Sequence, residues 1–347
     1  MKPLDNLKAP TLEGLGRTKI AINGFGRIGR NLFRLLLNHP QIEVVAINDI
    51  ADNKTMSHLL KYDSIHGVLQ NKISYTENAI VVDDNAYLFF HESDISKLDW
   101  KKLNIDFVVE STGKYKTFHE INAHIISGAK KVILSAPAEV DNIKTVVLGV
   151  NENILDGSET IVSNASCTTN NAAPMIKVLQ ELCGIEQAYI TTVHSYTTDQ
   201  SLHDQPHKDL RRARGASQSI VPTTTGAAKA LTKIFPELKG KIGGCGIRVP
   251  VPDGSLTDLT LNVIREVSIE EINAAFKKAS ENELKGILDY TDDPIVSVDI
   301  IGNPNSCLFD AQLTSVIDKM VKVVGWYDNE IGYSSRIIDL ISYIQKK

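Results

Sequence analysis

From residue 19 to about 166 the chain alternates short β-branched runs with helical stretches. The runs are KIAIN (19–23), IEVVAIN (42–48), DFVVES (106–111), KVILSA (131–136), TVVLGV (145–150) and TIVSN (160–164), several of them apolar at nearly every position. Such runs suit strands covered by helices on both faces. Between the first two, RIGRNLFRLLLN (27–38) sets Ile28, Leu32, Leu35 and Leu36 at i, i+4, i+7 and i+8, the stripe of an amphipathic helix. Strand, helix and strand within about thirty residues make a βαβ unit. Its repetition predicts a doubly wound parallel sheet.

The pattern changes after Cys167. A helix is expected over 168–182, with Pro174 early and Met175, Val178, Leu179 and Leu182 on one face. Longer alternating strands are expected at 188–196, 246–251, 255–267, 294–300 and 322–329. Ser268-x-x-Glu271 reads as a capping box opening another helix. This half predicts an α+β domain with a mainly antiparallel sheet. A last amphipathic stretch, 332–345, places Tyr333, Ile337, Ile341 and Ile344 on one face and could join either domain. Residues 1–18 are polar and have neither a signal-peptide core nor a transit-peptide pattern; they read as a disordered arm.

Length and composition narrow the class. At 347 residues the chain is about twice the usual 100–200-residue domain, so two domains are expected. No run approaches the roughly 18–20 apolar residues of a membrane span, and no repeat or low-complexity tract is visible. A net charge of −5 argues against nucleic acid as the main ligand, though not against a local phosphate pocket. Four scattered cysteines, Cys167, Cys183, Cys245 and Cys307, form neither a disulfide framework nor a metal-ligand spacing. Free thiols suit a reducing, cytoplasmic setting.

Four constellations could carry chemistry. Asn23-Gly24-Phe25-Gly26-Arg27-Ile28-Gly29 is a GxGxxG at a strand–helix junction. Gly24 permits the tight turn, Gly26 a close backbone approach to a pyrophosphate, and Gly29 tight helix–strand packing. Asp49, at the end of the next strand, can accept both adenosine ribose hydroxyls and repels a 2′-phosphate. A plain structural turn is the alternative. Cys167, within Ser166-Cys167-Thr168-Thr169-Asn170, opens a helix, where the dipole and free amides stabilise a thiolate and can hold an oxyanion. An inert buried cysteine is the alternative there, and it suits Cys183 and Cys307 better. His194 ends a strand and could pair with that thiol, although a lone histidine is more often structural. Arg211, Arg212 and Arg214, with Thr223, Thr224, Thr225, Gly226 and Arg248, supply what a phosphate pocket needs. A solvated basic loop or a subunit contact would use the same residues.

Together these residues resemble the phosphorylating glyceraldehyde-3-phosphate dehydrogenase family. NGFGRIGR (23–30), IND (47–49), ESTG (110–113), SNASCTTN (163–170), TTVHSYT (191–197), PHKDLRRAR (206–214), PTTTGAAKA (222–230) and WYDNEIGYS (326–334) are similar to its blocks, in its order, over about 19–346. The resemblance implies a Rossmann NAD-binding domain at 19–166, a catalytic domain at 167–331 and a helix at 332–347 returning to the first domain. It also implies a homotetramer, with glyceraldehyde 3-phosphate and inorganic phosphate as substrates. Cys167 would be the nucleophile, passing through a thiohemiacetal and an acyl thioester, with His194 as ion-pair partner and base. Thr197 and Arg248 match the substrate-phosphate site. Ser166, Thr168, Arg212, Thr225 and Gly226 match the surroundings of the attacking phosphate and the substrate. Arg27, Ile28, Asp49, Thr112, Ser135, Asn329 and Tyr333 match cofactor contacts.

Three positions depart from that pattern. Asn171 stands where many members have a second cysteine, Ser93 where many have an arginine near the adenine, and Gln205 where glycine or leucine is usual. Two other activities remain possible on the sequence: an erythrose-4-phosphate dehydrogenase, and an NAD-responsive binding protein without catalysis.

Overall fold

The structure, a computed structural model, describes residues 16–139 and 142–347. The arm expected at 1–18 lies outside the described residues up to position 15, and the first strand already begins at Thr18. The chain divides into two compact units. The first comprises residues up to Lys144, Leu155–Asn164 and Ile337–Lys347, and the second Thr145–Ile154 and Ala165–Arg336.

The first unit is built on a nine-stranded sheet. Thr18–Asn23 lies at its middle, parallel to Ile42–Asn48 on one side and Phe107–Glu110 on the other. Lys131–Leu134 and Ile161–Ser163 extend the parallel part beyond Phe107–Glu110. Ile20, Ala21, Ile22, Val108 and Val109 are wholly buried, as strands covered on both faces must be. Asn85–Phe90 adds to Ile42–Asn48 in parallel and continues into an antiparallel meander through Ala79–Val82 and Ile73–Tyr75. The apolar runs at 19–164 gave no sign of this meander. Its hairpin turns at Asp83, held at φ +53°, a conformation that aspartate tolerates better than most residues.

The helix Arg27–Leu36 buries Leu32, Phe33 and Leu36, whereas Ile28 and Leu35 are only half-buried. Phe33 rotates the stripe inward because aromatic partners await it. Phe25 and Tyr87 meet its ring edge-on at 5.6 and 4.8 Å, a favoured aromatic geometry.

The second unit holds an eight-stranded sheet in which most neighbours are antiparallel. Along Ser255–Val263 burial alternates strictly, with Thr257, Leu259, Leu261 and Val263 facing the core. The helices Cys167–Cys183 and Ile269–Glu281 contribute Met175, Ile176, Leu179 and Phe276 to that core. Phe276 stacks on Phe309 with centroids 3.8 Å apart. The capping box at Ser268 and Glu271 forms with both reciprocal hydrogen bonds.

Four expectations change. The run 145–150 is a strand only at Lys144–Thr145; Asn151 then folds the chain back, accepting from Val147 N and donating to Thr145 O. That turn sends Val147 into the second unit's core, so Thr145–Ile154 leaves the first domain. Residues 165 and 166 also belong to the second unit. The stretch 294–300 is a 3₁₀ turn at Ser297–Ile300 rather than a strand, and Asp299 closes it by accepting from Val296 N. The final helix, Ile331–Gln345, joins the first unit only from Ile337. Its start is held to the second unit by Arg336, which donates to Gly286 O and Pro304 O.

Candidate active site

The candidate residues form two clusters, one in each unit. In the first, Gly24 adopts φ +95°, and a Cβ there would lie 2.6 Å from Thr112 N. A Cβ on Gly29 would lie 2.1 Å from Gly24 O. Both glycines are therefore required by the loop itself. Gly26 differs: it is exposed, and its missing Cβ would meet nothing within 4 Å. It is also the N-cap of the first helix, without a side-chain cap. Open space beside uncapped helix amides fits a dinucleotide pyrophosphate.

Asp49 follows the second strand and accepts from Phe25 N at 2.7 Å through Oδ2 and from Ala51 N at 3.0 Å through Oδ1. Each oxygen keeps a lone pair for a ribose hydroxyl. The Arg27 guanidinium is committed to Asp63 at 2.6 and 3.1 Å, and it helps hold that carboxyl down at about 2 despite burial. Arg27 and the half-buried Ile28 thus offer the loop their backbone at the helix start. Thr112 donates its N–H and hydroxyl to Glu110, and Ser135 N donates to Glu110 O.

The second cluster begins at Ser166, which caps the helix Cys167–Cys183 by accepting from Thr169 N. Cys167 is the first helical residue, and its Sγ lies 3.4 Å from Nε2 of His194 at the end of the strand Ile185–Ser195. Arg248, opposite His194 on the neighbouring strand, places Nη1 2.7 Å from Nδ1 and 2.9 Å from Ser195 O. A guanidinium only donates, so in this arrangement Nδ1 accepts and the ring hydrogen sits on Nε2, facing the sulfur. Should Arg248 withdraw, Ser195 O at 2.8 Å from Nδ1 is ready to accept from it instead. Nε2 then becomes a base.

Burial and charge set the protonation of this pair. His194 is held down at about 3 by desolvation and by Arg248. Desolvation pushes the Cys167 thiol up, against the pull of Arg248 and the Thr168 N–H and hydroxyl. The free site thus favours a neutral imidazole, and neither the lowered thiol pKa expected at a helix start nor a resting ion pair results. The helix-end effect is real but is outweighed by loss of solvent.

Other candidates surround this centre. Thr197 and Arg212 both engage Asp199, and Arg212 Nε donates to Thr223 at 2.9 Å. Against its burial, the Thr197 hydroxyl and the charges of Arg248 and Arg212 hold the Asp199 carboxyl below the usual carboxylate range. Thr225 accepts from Ala227 N beside Gly226, the N-cap of the helix Ala227–Ile234. No hydrogen bond joins Thr225 or Gly226 to Cys167 or His194. Asn329 Oδ1 accepts from Ser195 and Ser255 at 2.8 and 2.6 Å, which leaves its amide nitrogen for another acceptor. Tyr333 donates to Ala165 O at 3.1 Å.

Several functional neighbours were not anticipated from the sequence. Tyr327 OH sits 2.9 Å from both Thr168 Oγ1 and Thr192 Oγ1 and so ties the catalytic helix to the strand that carries His194. Ser255 orients Asn329. Only their place beside recognised blocks could have pointed to them. Asn171 is wholly buried and donates to Ser306 O and Trp326 O, a structural role with no thiol in it.

Comparison with known proteins finds one family over both units. Residues 18–118 match the family model of the glyceraldehyde 3-phosphate dehydrogenase NAD binding domain, and residues 166–329 match the C-terminal domain of the same family. The chain is 54% identical over 331 residues to glyceraldehyde-3-phosphate dehydrogenase of Geobacillus stearothermophilus, covering 95% of this chain and 98% of that protein. It is 55% identical over 331 residues to that of Thermotoga maritima, covering 94% and 99%. Glyceraldehyde-3-phosphate dehydrogenase 2 of Streptomyces avermitilis is 53% identical over 329 residues, covering 94% and 98%.

Proposed function

This chain belongs to the glyceraldehyde-3-phosphate dehydrogenase family, and on that footing we propose how its own residues carry the reaction. The activity is an NAD-dependent oxidation of glyceraldehyde 3-phosphate, with inorganic phosphate as second substrate and 1,3-bisphosphoglycerate as product. The carrying observation is the Cys167–His194 contact at a helix start, with Arg248 behind the imidazole.

Arg248 and Thr197 bind the substrate phosphate. A dianion beside Arg248 competes with His194 for the guanidinium, so Nδ1 turns to Ser195 O and Nε2 can take the thiol proton. Cys167 then attacks the aldehyde carbon, and the amides of its helix hold the developing oxyanion. His194 returns that proton to the oxyanion, which gives the neutral thiohemiacetal, and takes it back from the hydroxyl as the hydride leaves the carbon. NAD, when bound, supplies the hydride acceptor. Ser166, Thr168, Arg212, Thr225 and Gly226 position inorganic phosphate to cleave the resulting thioester.

Gly24, Gly26, Gly29, Arg27, Ile28, Asp49, Thr112 and Ser135 form the dinucleotide cradle of the first unit. Asn329 and Tyr333 are the nicotinamide contacts of this reading. We infer a Rossmann NAD-binding domain on the first unit and a catalytic domain on the second. We infer a cytoplasmic homotetramer: Leu202, Leu210 and Ile220 are 68, 81 and 70% exposed, as side chains awaiting a subunit contact would be. No helix among the described residues is long and apolar enough to cross a membrane.

NADH formation from NAD, glyceraldehyde 3-phosphate and phosphate or arsenate tests the reading. Absence of turnover by reduced protein rejects it. A higher rate on erythrose 4-phosphate, independent of inorganic phosphate, would instead select the related hydrolytic enzyme.

A further inference from the structure

Three polar residues form a row across the carboxyl ends of adjacent parallel strands. Asn23 pairs in register with Asn48 on one side and Glu110 on the other, and all three are buried. Apolar residues would fill these positions more cheaply, so a buried row of amides and a carboxylate calls for an explanation.

The hydrogen bonds run in one direction. Glu92 N donates to Asn48 Oδ1, Asn48 Nδ2 to Asn23 Oδ1 at 2.8 Å, and Asn23 Nδ2 to Glu110 Oε2 at 2.5 Å. From the other side, Trp100 Nε1 lies 3.0 Å from His124 Nδ1, and His124 Nε2 lies 3.1 Å from Glu110 Oε2. An indole N–H only donates. His124 Nδ1 is therefore an acceptor, the ring hydrogen is on Nε2, and it is given to Glu110. Glu110 Oε1 takes the N–H and hydroxyl of Thr112. The carboxylate has four lone-pair sites and four donors, none of them charged.

We propose that Glu110 is a positioning residue of the dinucleotide site, its buried carboxylate holding Thr112 and the Gly24 turn in the shape that receives NAD. The inference rests on the reading above that NAD lies at the Gly24–Gly29 loop. The mechanical link is direct. Gly24 packs against the Thr112 backbone so closely that no Cβ fits between them, and Ser111 Oγ donates to Gly24 O at 2.8 Å. Moving Thr112 moves the turn.

Glu110→Gln preserves size but turns one oxygen into an N–H donor. That donor must face either Thr112 or the Asn23–His124 pair, and both of these are donors. The expected result is a KM for NAD raised about tenfold, with kcat at saturating NAD within about twofold. A purely structural role would lower the melting temperature without this split, so a folded Glu110→Gln with unchanged KM overturns the proposal. The double variant Asn23→Asp/Glu110→Gln exchanges donor and acceptor between the two side chains. It is expected to return KM to within about threefold of wild type, as a restored hydrogen bond would. Should the single variant not fold, the double decides alone, and a tenfold-raised KM in it overturns the proposal. Asp49→Asn, measured alongside, separates the two claims. An unchanged KM for NAD there rejects the loop assignment itself, whereas a raised one beside an unchanged Glu110→Gln rejects only the role of Glu110.

Discussion

The Cys167 sulfur lies 3.4 Å from Nε2 of His194, a contact between the first residue of a helix and the penultimate residue of a strand. It joins a nucleophile to the imidazole that becomes its base once Arg248 is drawn away from Nδ1, without needing either to be charged at rest. Cys167→Ser is expected to lose turnover by a factor on the order of 10⁴ or more, while NAD still binds, as read by fluorescence titration. His194→Gln is expected to lower kcat by about 10²–10⁴-fold. Retained turnover in the serine variant would remove the thiol mechanism.

The four thiols are graded by access, which alkylation reads directly. Cys167 and Cys245 are partly exposed, whereas Cys183 and Cys307 are buried. Burial pushes the thiols of Cys183 and Cys307 up, as it does that of Cys167, but Cys167 alone of these three has an imidazole nitrogen, His194 Nε2 at 3.4 Å, to take its proton. Iodoacetamide on native protein should label Cys167 first and Cys245 more slowly, and should spare the other two until unfolding. Peptide mapping by mass spectrometry checks the order; early labelling of Cys307 would contradict the packing described.

Arg248 acts on both partners with opposite consequences. Its charge pulls the Cys167 thiol down and helps hold the His194 imidazole at about 3. Arg248→Gln should therefore raise both pKa values. Alkylation of Cys167 at pH 8 should slow, and KM for the triose phosphate should rise about 10–100-fold through loss of a charged hydrogen bond. An unchanged KM would move the substrate phosphate elsewhere.

How far these features were legible depends on the distance over which they are determined. The Gly24–Gly29 loop, the helix opening at Cys167 and the Ser268–Glu271 box are local patterns, and each forms where its residues stand. The run 145–150 misled because its apolar residues serve a turn closed by Asn151, a side-chain bond that periodicity does not register. Ser297–Ile300 misled in the same way, through Asp299. Tyr327 bridges Thr168 and Thr192 across long stretches of chain, so only the fold reveals it. The protonation of Cys167 was also beyond local reading. A helix start argues for a low thiol pKa, but the decisive influence is solvent exclusion by residues far away in sequence.

Asp49 spends one lone pair of each oxygen on the loop backbone, through Phe25 N and Ala51 N. The remaining lone pairs suit ribose hydroxyls, and the negative charge opposes a 2′-phosphate. Asp49→Ala should lower kcat/KM for NAD and shrink the NAD-to-NADP preference by about tenfold or more. Initial rates with both cofactors decide this, and an unaltered ratio would take the ribose away from Asp49.

A buried acidic cluster bears on stability. Asp253 is fully buried beside Asp328 and Glu330. Asp328 already accepts from Gly302 N, Glu330 N and Ile331 N, so of these two carboxyls Asp253 is the one that takes up a proton. Burial, with Asp328 and Glu330 nearby, pushes Asp253 up to about 8. The unfolded chain releases this proton near pH 4, the folded chain only near pH 8. Between those values the folded state binds the extra proton, so its stabilising contribution is complete below pH 4. It falls on the order of 1.4 kcal/mol per pH unit as pH rises, and is gone above about 8. Asp253→Asn keeps a donor toward Asp328 and removes the titration. Its melting temperature relative to wild type should climb steadily from pH 5 to pH 8, and parallel curves over that range would show that Asp253 is not protonated in the folded protein.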